Sequence, residues 1–235
     1  MDATAPATNR IFDHLSAKAS ALIEPFLRKV KLDQGTVLHE SGEAVTFVYF
    51  PVSGMVSMLA VLRSGEAIET GVIGRDGFVG GYLGVRGWRS SGHAVVQIAG
   101  DAYRLGIRHF KKAYDSSDEF RTLISGYQSV IYFQAQQTAV CQALHQVEAR
   151  MCRWMLQAQD AAGSDVLQLT QEFLSHMLGV RRTSVSASAN KLQSEGLITY
   201  KRGVVRILSR KGLEKRSCEC YAAVRSATVD AMPRQ

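Results

Sequence analysis

Residues 169–193 read LTQEFLSHMLGVRRTSVSASANKLQ. The stretch predicts two short helices that meet at one glycine, Gly179. Set in that register, Leu174 and Leu178 are buried in the first helix, and Val180 and Val185 around the turn. Ser175 is the small residue at the crossing, and Thr170 is placed to cap the first helix. The second helix then turns Arg181, Arg182, Thr183, Ser186, Ala187 and Asn190 outward, at the positions that enter a DNA major groove. Ser188 departs from the pattern, because a bulky apolar residue is more usual there.

Two arginines at a helix N-terminus oppose the helix dipole, at a cost of a few tenths to about 1 kcal/mol. Phosphates and guanine edges reverse the sign. A bidentate arginine on guanine O6 and N7 is worth roughly 1–3 kcal/mol of discrimination. Base contacts are therefore expected from Arg181, Arg182, Thr183, Ser186 and Asn190. Gly196 ends the helix, and LITY and VVRIL follow as two strands around Lys201-Arg202-Gly203. That is a basic-tipped wing. Thr170, Ser184, Lys191, Lys201 and Arg202 are the expected phosphate contacts, which position a protein but carry little sequence information.

Charge placement agrees. Of 28 Lys and Arg, 12 lie from Ala161 onward, against 6 of the 21 Asp and Glu. Nearly all of the net +7 sits in the last third, as expected of a module that meets a polyanion.

Upstream, Asn9–Val30 reads as helical on Ile11, Leu15, Leu22, Ile23, Phe26 and Leu27. AVTFVYFPVSGMVSMLAVL, AIETGVI, AVVQIAG and AYRLGI read as strands, with RSGE at Arg63–Glu66 as a hairpin turn. From Phe120 to Leu144 apolar residues recur at spacings of three and four with almost no charge, and a self-associating seam on Leu123, Ile124, Tyr127, Ile131 and Cys141 would cover them. Gln134, Gln137 and Thr138 interrupt the stripe; they can set register, face a ligand or simply be solvated. A further helix ends near Gly163, with His145-Gln146 before it as a candidate hinge. The fold class is α+β: an antiparallel β-roll of the cupin or jelly-roll kind, a long dimerisation helix and a winged helix-turn-helix. The expected boundaries are 10–115, 116–145 and 146–235.

This order of elements resembles the Crp/Fnr-type bacterial transcription regulators over about residues 10–222. The segments YFPVSGMVSMLAVL, VIGRDGFVG, LTQEFLSHMLGVRRTSV and CECY carry the likeness. The resemblance implies a cytoplasmic homodimer on a palindromic stretch of double-stranded DNA, with a signal in the roll repositioning the DNA-binding heads. It implies RNA polymerase as a partner if the protein activates.

Cyclic-nucleotide members carry Gly-Glu and, after a loop, Arg-Ser-Ala. Here Gly80-Gly81 stands at the first site, without the acid, and Arg89-Ser90-Ser91 falls about two residues from the expected count. Gly80, Gly81, Arg89, Ser90, Gln134 and Thr138 outline the candidate effector pocket, for a cyclic nucleotide, a cyclic dinucleotide, another small molecule or nothing. No cofactor is expected. Iron–sulfur members need cysteines, usually near the N-terminus, and the first here is Cys141. His39, His93 and His109 are candidate haem ligands in principle but read as ordinary surface or core residues. The spacing of Cys141, Cys152, Cys218 and Cys220 matches no zinc framework, so no metal is expected. Cys218-Glu219-Cys220 reads as part of a packed terminal helix, with metal binding or oxidant sensing as the other readings. No nucleophile–base set, P-loop or paired-carboxylate signature points to an enzyme. No apolar run approaches the ~18 residues of a membrane span, and the first residues do not read as a secretory signal.

Overall fold

The structure, a computed structural model, describes residues 8–80, 88–90 and 92–232. The chain opens on short pieces rather than the single helix expected over Asn9–Val30. Helix α1 is Arg10–Asp13, α2 is Ala17–Ser20, a 3₁₀ turn covers Glu24–Phe26, and strand β1 already begins at Arg28 (Arg28–Leu32). Ser16 breaks the run. Its hydroxyl caps α2, and its N–H and hydroxyl both donate to Glu119. Pro25 sits in the 3₁₀ turn, and pairing with a distant strand then outweighs the helical periodicity.

Strands β2 (Val37–His39), β3 (Phe47–Pro51), β4 (Met55–Val61), β5 (Ala67–Ile73), β6 (His93–Ile98) and β7 (Gly100–Gly106) complete the roll. One sheet has the order β1-β7-β3, the other β2-β6-β4-β5, and all pairs are antiparallel. Alternate residues enter the core, as a pleated strand dictates: Val48 and Phe50 from β3, Ala94 and Val96 from β6. Phe78 and Phe110 fill the space between, with ring centroids 6.0 Å apart. Each such burial stabilises by about 1.5–3 kcal/mol.

Strand β4 breaks the alternation, being buried from Met55 to Leu59. Both of its faces are covered. Val56 and Met58 join the roll core, while Met55 and Leu59 join a second core built from the C-terminal module. This explains the near-continuous apolar run in the sequence.

Helix α3 (Ile107–Ser116), not anticipated from the sequence, leads to α4 (Asp118–Leu144), which Ser117 caps through the Phe120 N–H. The apolar stripe of α4 is covered within the chain. Leu123, Ile124, Tyr127 and Cys141 are buried and Ile131 is partly so, under the roll and helix α9 (Cys220–Ala231). These five therefore do not form an open seam, which corrects the sequence expectation. The reason is long-range: α9 returns along α4, so closely that a Cβ on Gly126 would lie 3.2 Å from the Ala231 carbonyl oxygen. Ser129, Tyr132, Gln136, Val140, Ala143 and Leu144 make up the open face instead; Tyr132 is 68% and Leu144 74% exposed.

His145 and Gln146 have extended backbone between α4 and α5 (Val147–Ala162). Helix α5 is buried almost all round and stops at Gly163 in the left-handed conformation. It carries the contact that joins the two halves. Trp154 Nε1 donates to Glu69 Oε1 at 2.7 Å, and the Ser57 hydroxyl donates to the other carboxylate oxygen. Burial pushes the Glu69 carboxyl up to about 7, against the opposing pull of Ser57, Trp154 and Arg153.

Candidate nucleic-acid interface

Helix α6 (Gln171–Leu178) starts at Thr170, whose hydroxyl accepts from the Phe173 N–H at 3.0 Å. Gly179 ends it at φ 60°, a conformation that glycine adopts without strain. The buried Arg150 side chain donates to the Leu178 carbonyl, which places a cation at the negative end of the helix. Helix α7 (Arg182–Ser194) follows. Leu174, Ser175, Leu178 and Val185 are buried and Val180 is half-buried, as the register from Gly179 requires. Ser188 is half-buried at the small-for-large position.

The cap is a measurable contribution. Thr170→Ala is expected to cost about 1 kcal/mol, read from the urea midpoint, with the α-helical signal otherwise retained.

Arg181, Arg182, Thr183, Ala187 and Asn190 are exposed. Arg181 occupies the N-cap of α7 without a side-chain cap; the Ser184 N–H donates to the Arg181 carbonyl at 2.9 Å, and the start of the helix is the end that attracts an anion. Ser186 is half-buried, and its hydroxyl donates to Gln171 Oε1 at 2.7 Å and to the Arg182 carbonyl at 3.1 Å. The structure thus gives Ser186 the job of bracing α7 on α6, where the sequence expected a free base contact. Ser184 is half-buried on the first turn. Lys191 pairs with Glu148 Oε2 of α5 at 2.8 Å, so its charge already has a partner on the chain. A pair of this exposure is worth under about 1 kcal/mol.

Strands β9 (Ile198–Lys201) and β10 (Val204–Ile207) form the wing, and β8 (Val166–Gln168), missed in the sequence because three residues carry no period, pairs on β10. The tip residues Arg202 and Gly203 have φ 50° and 77°, the geometry of a type I′ turn. Lys201, Arg202 and Arg206 are exposed. The Tyr200 hydroxyl donates to the Leu169 carbonyl at 2.7 Å, and a Cβ on Gly203 would stand 3.4 Å from Thr170 Cγ2. The wing tip, the start of α6 and the Ser186 face of α7 are neighbours. Gln171, absent from the sequence-level set, belongs to this face; it gave no local signal because it reads as an ordinary first-turn residue.

Among the described residues, those expected at an effector pocket are engaged with their own neighbours. Arg89 Nη1 donates to the Gly42 carbonyl at 2.7 Å, and Ser90 bonds to Glu43 and Gly92. A Cβ on Gly80 would meet His39 Nε2 at 2.8 Å. Gln134 Oε1 accepts from the Val72 N–H at 2.9 Å, and Thr138 accepts from Arg153. Gly81 lies outside the described residues. Each of these polar side chains has a partner on the chain. A cavity of about 530 Å³ opens elsewhere, between the roll, α4, α5 and α9, and of the expected residues it takes Gln134, beside Arg75, Asp76, Tyr127 and Asp160.

Comparison with known proteins matches residues 149–216 to the family of the Crp-like helix-turn-helix domain. The match covers the helix-turn-helix, its wing and helix α5, and it names the kind of domain that the C-terminal part of the chain carries. Solved structures share the fold. FixK2 from Bradyrhizobium japonicum aligns with TM-score 0.67 and 14% identity over 82% of this chain and 98% of its own. A Crp/Fnr-family transcriptional regulator from Thermus thermophilus aligns at 0.65 and 21% over 81% and 98%. The c-di-GMP responsive global regulator CLP of Xanthomonas campestris aligns at 0.64 and 17% over 83% and 100%. No curated protein matches by sequence. Among the described residues, no helix is long and apolar enough to cross a membrane.

Proposed function

We propose that this regulator binds a palindromic operator as a homodimer, with one α7 in the major groove of each half-site. The single observation that carries this reading is the exposed, basic, small-residue face of α7 beside a basic wing tip. Arg181, Arg182, Thr183 and Asn190 read bases, Ser186 fixes the helix that carries them, and Thr170, Ser184, Lys201 and Arg202 meet phosphates. Lys191 joins the phosphate set after leaving Glu148. The dimer forms on the open face of α4, where Ser129, Tyr132, Gln136, Val140 and Ala143 recur at helical spacing without a charge. RNA polymerase is the partner if the regulator activates, and the cytoplasm is its compartment.

The test is selection of genomic fragments by the purified, ligand-free protein, then binding to the best fragment over a salt series. A palindrome bound at nanomolar Kd is expected. Arg182→Ala should lose about 1–3 kcal/mol of discrimination at one base pair of each half-site. Lys201→Ala should weaken all sequences alike and flatten the log–log salt slope by about one. Equal effects from the two variants would overturn the assignment of roles.

A second reading, that DNA binding requires a cyclic nucleotide or dinucleotide, is favoured by the 530 Å³ cavity with Arg10 and Arg75 on its wall. It predicts weak, unselective binding by ligand-free protein and a melting shift with the added nucleotide.

A further inference from the structure

We propose that Cys141, His145, Cys218 and Cys220 form a tetrahedral site for a zinc-class metal ion that clasps the end of α4 to the start of α9, across the hinge into the DNA-binding module.

The four residues come from two places far apart in sequence. Cys141 lies in the last turn of α4, and His145 caps that helix with its N–H donating to the Cys141 carbonyl. Cys218 lies on the loop before α9 and Cys220 is the first residue of that helix, with Glu219 at its N-cap. Their ligand atoms all lie within 4.8 Å of one another. Cys141 Sγ is 3.5 Å from Cys218 Sγ, and Cys220 Sγ is 3.5 Å from His145 Nδ1. A zinc ion with bonds of about 2.3 Å to sulfur and 2.0–2.1 Å to nitrogen has tetrahedron edges of roughly 3.5–3.8 Å. The two measured edges already have that length.

The surroundings suit a closed site. All three cysteines are buried and the histidine is half-buried. The second imidazole nitrogen is engaged as well: His145 Nε2 lies 3.3 Å from Glu219 Oε2. A carboxylate there fixes the tautomer that leaves Nδ1 free for the metal. Three thiolates and a dication leave a net charge of about −1. Arg150 and Arg153, both buried on α5, supply positive charge within electrostatic reach of the thiols. Three soft sulfur donors and one imidazole with no open position favour zinc in a structural role over magnesium, calcium or a catalytic ion.

The experiment uses the full chain, purified under reducing conditions. Metal analysis is expected to give one zinc per chain. Exchange for Co²⁺ should produce the visible d–d bands of a tetrahedral ion and a sulfur-to-cobalt charge-transfer band in the near ultraviolet. Cys218→Ser and His145→Gln should each lose the bound zinc. Glu219→Gln, at an exposed side chain that no core depends on, should retain the fold and weaken zinc about tenfold in competition with a chromogenic chelator. Metal-free protein that titrates with Zn²⁺ or Co²⁺ without these signals overturns the proposal. So does a Cys141–Cys218 disulfide as the resting form, seen by mass spectrometry without reductant in the digest, or a Glu219→Gln variant with unchanged zinc affinity. None of these outcomes depends on which operator, if any, the regulator binds.

Discussion

Trp154→Ala is expected to lower folding stability by about 3–5 kcal/mol. The side chain is 1% exposed, packs edge-on against Phe173 of α6 at 5.7 Å, and donates its indole N–H to Glu69 of the roll. The substitution therefore opens a cavity in the second core and strips a donor from a buried carboxyl at the same time. Trp154→Phe separates the two effects. It keeps most of the packing and loses only the donor, for about 1–3 kcal/mol. Urea unfolding of both variants at one pH measures the difference. A cost below about 1 kcal/mol for the alanine variant would mean that α5 and the roll are not packed through this residue.

The second large effect concerns Glu69. Its carboxyl is held near 7 in the folded chain by burial, against an ordinary 4.5. The folded state thus binds the proton more tightly than the unfolded one. The associated stability is present below about pH 4.5 and is lost as pH rises through about 7, on the order of 3 kcal/mol in all. Glu69→Gln keeps an acceptor for Trp154 and a partner for Ser57 without an ionisable group. Its stability relative to the parent chain is expected to rise by that amount between about pH 5 and pH 8. An unchanged pH profile in the variant would show that the carboxyl titrates normally.

How far the sequence could be read follows from the range of each interaction. The two helices around Gly179 were legible because their determinants lie within one or two turns: Thr170 as cap, Leu174 and Val185 as core, the glycine at the turn. Strand β5 was legible from AIETGVI for the same reason. The start of the chain was misread because β1 owes its state to β7, far along the chain, where Arg28 pairs with Arg104. The stripe on α4 was real, but what covers it is α9, and periodicity cannot name the partner of an apolar face. The cluster around His145 was hidden for a related reason. Cys141 and Cys218 are 77 residues apart, and a spacing search looks for ligands in nearby pairs. A cysteine and a histidine four apart at the end of a helix, with a Cys-x-Cys elsewhere, was the available signal.

If the proposed dimer forms on the open face of α4, that face has a consequence for partner choice. From Thr122 to Leu144 the helix has no charged side chain. Coiled seams ordinarily refuse foreign helices by setting like charges against each other. A face of Ser129, Tyr132, Gln136, Val140 and Ala143 has no such veto, so a related chain in the same cell would be turned away by fit alone. The depth at which Tyr132 seats, and whether Gln136 meets a second amide, would then decide between a self-pair and a mixed one. Were two such chains made together and paired this way, their relative abundance would become an input to which operators are occupied.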